Sequence, residues 1–390
     1  MEAFSMSPDP TASPPLPDDR VVASPLKGRG TATRILHRFN RDQREAVDDG
    51  WASGSAPDDD ESADAPPGPA QATQVTHEQA KTILTRNDSP DLPFTWSINP
   101  YRGCEHGCIY CYARPTHSYL NLSPGLDFET KLVAKVNAAD CLRRELAKAS
   151  YEPSAINLGS ATDCYQPVER ELRITRSVLE VLTQCEHPFS IVTKSSGVER
   201  DLDLISLAAQ RHQALVLVSI TTLDAALCRK LEPRAAAPHR RLLTVKRLAE
   251  AGVPVGVNVA PIIPFLNEPE IEQVIAAAAE AGARSIHYTV VRLPWEVNPL
   301  FQEWLQHHVP ERAARIMARI RDMRGGQDYD ASFAHRMRGH GLWAELIAQR
   351  VNKATARHGL SRKAVALDVS RFKPPVAALA DRTPWQGQLF

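Results

Sequence analysis

The sequence predicts an α/β protein built on a parallel sheet, and three observations carry that prediction. Short apolar runs alternate with stretches of helical periodicity from about residue 90 to residue 300. The chain has 390 residues, 43% hydrophobic and 24% charged, which suffices for one large barrel-type domain or two ordinary ones. No Gly-x-Gly-x-x-Gly fingerprint follows any of the apolar runs, so a dinucleotide-binding version of the fold lacks its main support.

Taken in order, residues 1–75 are rich in Pro, Ser, Ala and Asp, as in SPDPTASPPLPDD and SGSAPDDDESADAPPGPA. So little apolar surface cannot offset the entropy of ordering, and the region is predicted to be mostly disordered. The basic, partly amphipathic stretch KGRGTATRILHRFNRDQRE, residues 27–45, is the exception, suited to packing on the core or on a partner. FTWSIN reads as a strand leading into a cysteine-rich loop, and SAINLG as a short buried strand that ends in the polar turn SATDCYQP. TRSVLEVLTQC has helical spacing, with Thr175 as its predicted N-cap. FSIVTKSS is the next strand, DLDLISLAAQRH a helix, ALVLVSITTLD a strand, and PHRRLLTVKRLAEAG a helix closed by Gly252. PVGVNVAPIIP, EPEIEQVIAAAAEAG and SIHYTVVRLP continue as strand, helix and strand. The strands number six, and their alternation with helices implies βαβ units. Beyond Pro310 the chain turns helical and Arg-rich over PERAARIMARIRDMR and LWAELIAQRVNKATARHG. The predicted organisation is a disordered head over 1–75, a core over 90–300, a helical extension over 301–375 and a tail over 376–390.

The formal net charge is zero and the pI about 7.2, so the whole chain advertises no polyanionic partner. Residues 1–80 nevertheless hold 7 Lys and Arg against 14 Asp and Glu, and residues 301–390 hold 15 against 8. A basic C-terminal end is compatible with nucleic-acid contact, but on composition alone solvated helix faces are the favoured reading. No run approaches bilayer length and the N-terminus lacks a signal-peptide layout, so the sequence reads as cytoplasmic. Seven cysteines are present, scattered singly outside one cluster, which argues against a disulfide framework and for metal or redox chemistry at that cluster.

The cluster lies in NPYRGCEHGCIYCYARPTHSY, where Cys104, Cys108 and Cys111 are spaced C-x3-C-x2-C. Three readings compete. One is an iron–sulfur cluster with three protein ligands and one open iron. A second is a structural zinc site that takes His106 or His117 as its fourth donor. The third is three buried thiols without a metal. The zinc reading is the weaker metal reading, because His106 lies between two of the cysteines and no paired C-x2-C or H-x3-H follows downstream. Cys141, Cys185 and Cys228 fall on predicted helices and read as buried and inert.

CEHGCIYC, with Tyr110 just before the last cysteine, resembles the signature loop of the radical S-adenosylmethionine (SAM) superfamily. The resemblance extends to the DNA-repair-photolyase-like branch related to spore photoproduct lyase, through NPYRGC, SATDCYQPVE, VTKS, VSITTLD, EPRAAAPHRR and VAPIIP, roughly residues 24–375. It implies a partial (β/α)6 TIM-like barrel, which agrees with the six strands. It also implies a [4Fe-4S] cluster on Cys104, Cys108 and Cys111 whose open iron binds SAM. Reductive cleavage then gives methionine and a 5′-deoxyadenosyl radical that takes hydrogen from an unidentified substrate, with nucleic acid one option. A flavodoxin- or ferredoxin-type electron donor is implied as well, and no membrane partner.

By position, the family's SAM contacts fall on Tyr110, Thr162, Asp163, Lys194, Ser219 and Ala260. Ligands in such barrels sit at the C-terminal ends of the strands. The resemblance therefore gives Lys194 the SAM carboxylate, Ser219 the same end or the ribose, Thr162 and Asp163 the ribose hydroxyls, Ala260 the adenine, and Tyr110 a place against the cofactor. Singly, each has an ordinary explanation as a surface lysine, a capping hydroxyl or a turn aspartate. Glu232 and Arg234 lie in the loop before a helix, with Arg234 suited to a phosphate, a carboxylate or a local salt bridge. Arg292, Trp295 and Glu296 follow the last strand, toward the substrate opening. One position departs from the branch: where spore photoproduct lyase uses a cysteine as hydrogen donor, this chain has Ser160, whose O–H bond is too strong for that role. Cys164, four residues on, is the remaining candidate. The alternative function is a non-catalytic zinc or iron–sulfur module that binds nucleic acid through its basic C-terminal helices.

Overall fold

The computed structural model describes residues 26–39, 72–363 and 365–375. Ten strands form two sheets: β1 (Gln74–Glu78), β2 (Leu84–Arg86), β3 (Trp96–Ile98), β4 (Tyr101–Arg102), β5 (Lys131–Lys135), β6 (Ile156–Leu158), β7 (Phe189–Thr193), β8 (Ala214–Ser219), β9 (Val255–Ile262) and β10 (Ser285–Val290). The larger sheet has the order β10-β9-β8-β7-β6-β3-β2; its first six strands are parallel, and β2 joins β3 antiparallel. These six parallel strands are the six predicted. They are legible because both faces of the sheet are covered, so each strand is a nearly continuous apolar run. All of β6 is buried, as are Ile191, Val216, Val218, Val257 and Ile286 at the centre of the core. With β2 and β10 as its two edges the sheet stays open, and the fold is a partial TIM-like barrel.

Among the described residues the α-helices of seven or more residues are α1 (Ala138–Leu146), α2 (Ile174–Gln184), α3 (Leu202–Gln210), α4 (Ala225–Leu231), α5 (Pro238–Glu250), α6 (Ile271–Glu280), α7 (Val297–His308), α8 (Pro310–Asp322) and α9 (Leu342–Arg357). Gly252 ends the α5 turn at φ 77°, in the left-handed conformation that suits glycine. The start of α2 differs from expectation: its cap position is Arg173, and Thr175 lies inside the first turn. The carboxylate of Glu169 accepts the Thr175 N–H and so takes over the capping role, while the Thr175 hydroxyl donates to the Cys164 carbonyl at 2.5 Å. No helix among the described residues is long and apolar enough to cross a membrane.

A second, three-stranded sheet (β1-β5-β4) holds the base of the cysteine loop. Its strands escape sequence reading because they are two to five residues long and β1 is largely exposed, which leaves no apolar period to detect. Most of the head predicted as disordered, residues 1–25 and 40–71, lies outside the described residues, as does the tail over 376–390. Residues 27–39 pack on the core. There the Leu126 N–H donates to the Thr33 carbonyl at 3.0 Å, the Ile35 N–H to Ser123 Oγ at 2.9 Å, and Arg38 pairs with Glu296 at 3.0 Å. The segment thereby links the chain after the cysteine loop to the start of α7.

At the other end, the Lys373 N–H donates to the Cys185 carbonyl at 2.8 Å, and Phe372 packs edge-on to His187 and Tyr151. His187 is satisfied as the neutral ring, its Nδ1–H donating to the Pro188 carbonyl at 2.9 Å and its Nε2 accepting from the Tyr151 hydroxyl at 2.8 Å. Burial depresses its pKa to about 4. The unfolded chain takes up this proton near pH 6.5, so the contribution is full above that pH and is lost as pH falls toward 4, by about 3 kcal/mol. Urea unfolding at stepwise lower pH should show this loss, and it should be absent from the corresponding difference curve of a His187→Phe variant.

Candidate functional site

The cysteine loop is built around a buried ion pair. Arg114 and Glu129 have no solvent exposure, and the guanidinium binds the Glu129 carboxylate directly. Arg114 also donates to the carbonyls of Cys108 at 3.0 Å, Gly107 at 3.2 Å, Pro124 at 3.3 Å and Gly125 at 3.0 Å. All five of its N–H donors are therefore used. The second Glu129 oxygen accepts the Gly30 N–H at 2.8 Å. Position 30 needs glycine, because a Cβ there would fall 1.9 Å from the Gly107 carbonyl oxygen. Further bonds seat the loop: the Cys104 N–H reaches the Phe128 carbonyl at 2.9 Å, the Ile109 N–H the Leu231 carbonyl at 3.1 Å, and the Glu105 N–H the Gln166 side chain at 2.8 Å.

Cys104 and Cys108 are buried, Cys111 is partly so, and none of the three is in a disulfide. Each thiol lies within electrostatic reach of another, and burial pushes all three pKa values up. Thiolates here need compensating positive charge, which iron ions bring. Among the described residues no three His, Cys, Asp or Glu side chains converge closely enough to hold one metal ion. An iron–sulfur cube takes its three cysteines at separate corners. Each histidine proposed as a fourth zinc donor has one ring nitrogen engaged, as a metal-bound histidine also does, and His117 Nδ1 is buried with no hydrogen-bond partner. His106 Nδ1 faces Asp163 Oδ2 at 3.3 Å, and His117 Nε2 contacts the Lys131 carbonyl at 2.9 Å. The residues present fit a cube held at three corners.

The strand ends β6 to β9 carry the other predicted residues, and the structure brings them to the loop. The Asp163 carboxylate is fully occupied: Oδ1 accepts the Tyr165 N–H at 2.9 Å and the Thr193 hydroxyl at 2.8 Å, while Oδ2 accepts the Lys194 N–H at 2.7 Å and faces His106. Burial alone would raise its pKa, but His106 and these donors hold it below the ordinary range. Asp163 therefore ties the cysteine loop to β7. Thr162 is likewise engaged, its hydroxyl donating to the Tyr101 carbonyl at 3.0 Å. Lys194 Nζ lies 3.7 Å from Glu232 Oε1 and 5.9 Å from the centre of the Tyr110 ring. The Tyr110 hydroxyl donates to Glu232, and the Thr221 hydroxyl bridges Glu232 at 2.5 Å to the Ala260 carbonyl at 2.9 Å. Ser219 ends β8 and is buried, its carbonyl accepting from Arg241 at 3.0 Å.

Cys164 has no exposure and sits in the main core with its sulfur against Gly159, at the end of β6. One further expectation is corrected. Glu296 is buried and turned inward onto Arg38 rather than toward an opening. Arg234 resolves as a salt bridge to Glu105 at 3.2 Å. Arg292 stacks 4.9 Å over the Tyr112 ring, and Trp295 is 39% exposed. Sequence reading missed Arg114, Glu129, Thr221 and Arg241. Arg114 stands three positions after Cys111 inside the quoted motif, yet nothing in its spacing marks it as buried.

A model of the radical SAM superfamily matches residues 98–278. An uncharacterised protein of Mycobacterium tuberculosis is 37% identical over 226 residues, 57% of this chain, and the match spans 66% of that relative's length. An uncharacterised protein of the Acidianus two-tailed virus is 30% identical over 206 residues, covering 50% of this chain and 67% of its own. Among solved structures, a mutant of spore photoproduct lyase aligns at 16% identity with a TM-score of 0.49, over 73% of this chain and 80% of that one. Residues 98–278 of the chain are a radical SAM domain.

Replacing Arg114 by Met should leave Glu129 buried without its cation and cost about 3–5 kcal/mol. Denaturant unfolding of the metal-free protein is the readout, and Arg114→Lys should recover only part of the loss because it lacks the five-donor fork.

Proposed function

We propose that this protein is a radical SAM enzyme in which Cys104, Cys108 and Cys111 hold a [4Fe-4S] cluster by three irons. The observation that supports this most is one loop presenting three thiols, two of them buried, beside the strands that carry Lys194, Ser219 and Ala260 at or near their ends. When bound and reduced, the cluster supplies the electron that splits SAM into methionine and a 5′-deoxyadenosyl radical. The electron comes from a low-potential donor of the flavodoxin or ferredoxin type. In this reading Lys194 neutralises the SAM carboxylate, Ser219 hydrogen-bonds the same end, Ala260 offers backbone groups to adenine, and Tyr110 packs beside the methionyl part. Thr162 and Asp163 act from behind, fixing the loop against β7.

The substrate class we favour is nucleic acid. Phe39, Tyr112, Tyr119 and Trp295 are exposed aromatic rings, and guanidinium groups stack on them: Arg38 at 4.6 Å from Phe39 and 4.3 Å from Trp295, and Arg292 at 4.9 Å from Tyr112. Tyr112 adjoins Cys111, and Trp295 follows β10, so this surface borders the strand-end site. The rings and the Arg292 guanidinium suit unstacked bases and phosphates, while Arg38 is paired with Glu296 and contributes its plane alone. The basic C-terminal helices support nucleic-acid contact less well, since Arg319, Arg321 and Arg350 pair with carboxylates of the chain itself.

Anaerobic reconstitution with iron and sulfide, followed by dithionite and SAM, should yield 5′-deoxyadenosine. Cys104→Ala, Cys108→Ala and Cys111→Ala should each abolish it, and a tightly held zinc with no iron would exclude the enzyme. Single-stranded oligonucleotides should bind the reconstituted protein with an affinity that falls steeply with salt. Trp295→Ala should weaken that binding about tenfold, the loss of one stacking contact. Salt-insensitive or absent binding would remove nucleic acid as the substrate class.

A further inference from the structure

Glu232 follows α4 with its carboxylate fully buried, and groups from four separate segments meet on it. Arg241 reaches it from α5, the Thr221 hydroxyl from beyond β8 at 2.5 Å, Lys194 Nζ from the end of β7 at 3.7 Å, and the Tyr110 hydroxyl from the cysteine loop. Cys228, one turn earlier on α4, places its sulfur 3.6 Å from the second oxygen. Burial alone would raise the Glu232 pKa, yet Arg241 and Lys194 hold it far below the ordinary range, so the group is a fixed negative charge. Glu232, Lys194 and Arg241 together carry one net positive charge, and of these Glu232 and Lys194 act directly on Cys108.

The Lys194 contact is longer than a hydrogen bond, so the tether is electrostatic and does not bind any one N–H. A lysine side chain carries substantial rotamer entropy, and a carboxylate that fixes its head group removes that cost before a ligand arrives. Arg241 does not need Lys194 to be held, because it also donates to the carbonyls of Ser219 at 3.0 Å and Ala236 at 2.7 Å. The carboxylate therefore has two separable tasks: it neutralises Arg241, and it orients Lys194 together with Tyr110.

We propose that Glu232 is the positioning residue of the cofactor pocket, setting Lys194 and the Tyr110 ring for the amino-acid end of SAM and limiting the net positive charge that it shares with Lys194 and Arg241 to one. This inference rests on the radical SAM reading above.

The test is SAM affinity and cluster reduction potential, measured on reconstituted wild type, Glu232→Gln, Lys194→Met and the double variant. Iron content and thermal midpoint serve as folding controls. Glu232→Gln keeps the side-chain volume and an acceptor for Tyr110 and Thr221. It should weaken SAM about tenfold where Lys194 is present and less than twofold in the Lys194→Met background, and it should move the potential to more positive values. Should that variant fail to load iron, Glu232→Asp keeps the charge for Arg241 but draws it away from Lys194, and a severalfold loss of SAM affinity is expected. Equal losses in both backgrounds, or an unchanged affinity and potential, would overturn the positioning role. A wild-type protein that loads a full cluster and binds no SAM would instead overturn the reading on which it rests.

Discussion

Arg114 and Glu129 are a salt bridge with no access to water, and the cysteine loop hangs on it. Burying two charges is costly, and it is tolerated only when the remaining hydrogen-bonding capacity is met. Here the guanidinium spends its other donors on carbonyls of the loop and of Pro124 and Gly125, and the carboxylate reaches back to the Gly30 amide. A loop of eight residues that presents three sulfurs has no regular secondary structure of its own to hold it. The ion pair supplies the missing framework, and the segment over residues 27–39 is recruited into the same network.

Two further buried carboxylates connect this loop to the barrel, and both converge on Lys194. Asp163 accepts its backbone N–H and faces His106 of the loop; Glu232 attracts its ammonium and accepts the hydroxyl of Tyr110. The lysine is thus located from both ends by groups that also locate the cysteines. Geometry at the site therefore depends on long-range electrostatics between segments rather than on any one loop. Each carboxylate keeps its charge despite burial because cations or several donors surround it.

The parallel strands were legible because a doubly covered sheet writes each strand as an apolar run. The second sheet was not, since Tyr101–Arg102 and Lys131–Lys135 are too short and too mixed to show a period. At the site, the three cysteines are recognisable from their spacing, and Lys194, Ser219 and Ala260 only through resemblance. Local reading is blind where the partner is distant. The donors to Asp163 come from His106, Thr193 and Lys194, and the burial of Cys164 against Gly159 is set by the fold, so neither shows in the neighbouring residues. Glu232 drew notice as a loop acid, but its ties to Tyr110 and Arg241 exist only in the folded chain.

The account stands on one claim, that three thiols of one loop leave a single iron of a cube open to SAM. Electron–nuclear double resonance on the reduced protein, with SAM labelled at the methionyl nitrogen and carboxylate oxygen, tests it most directly. The account predicts hyperfine coupling of both labels to the cluster, lost when the label is moved to adenine. A cubane signal without that coupling, or no cubane signal from iron-loaded protein, would contradict it.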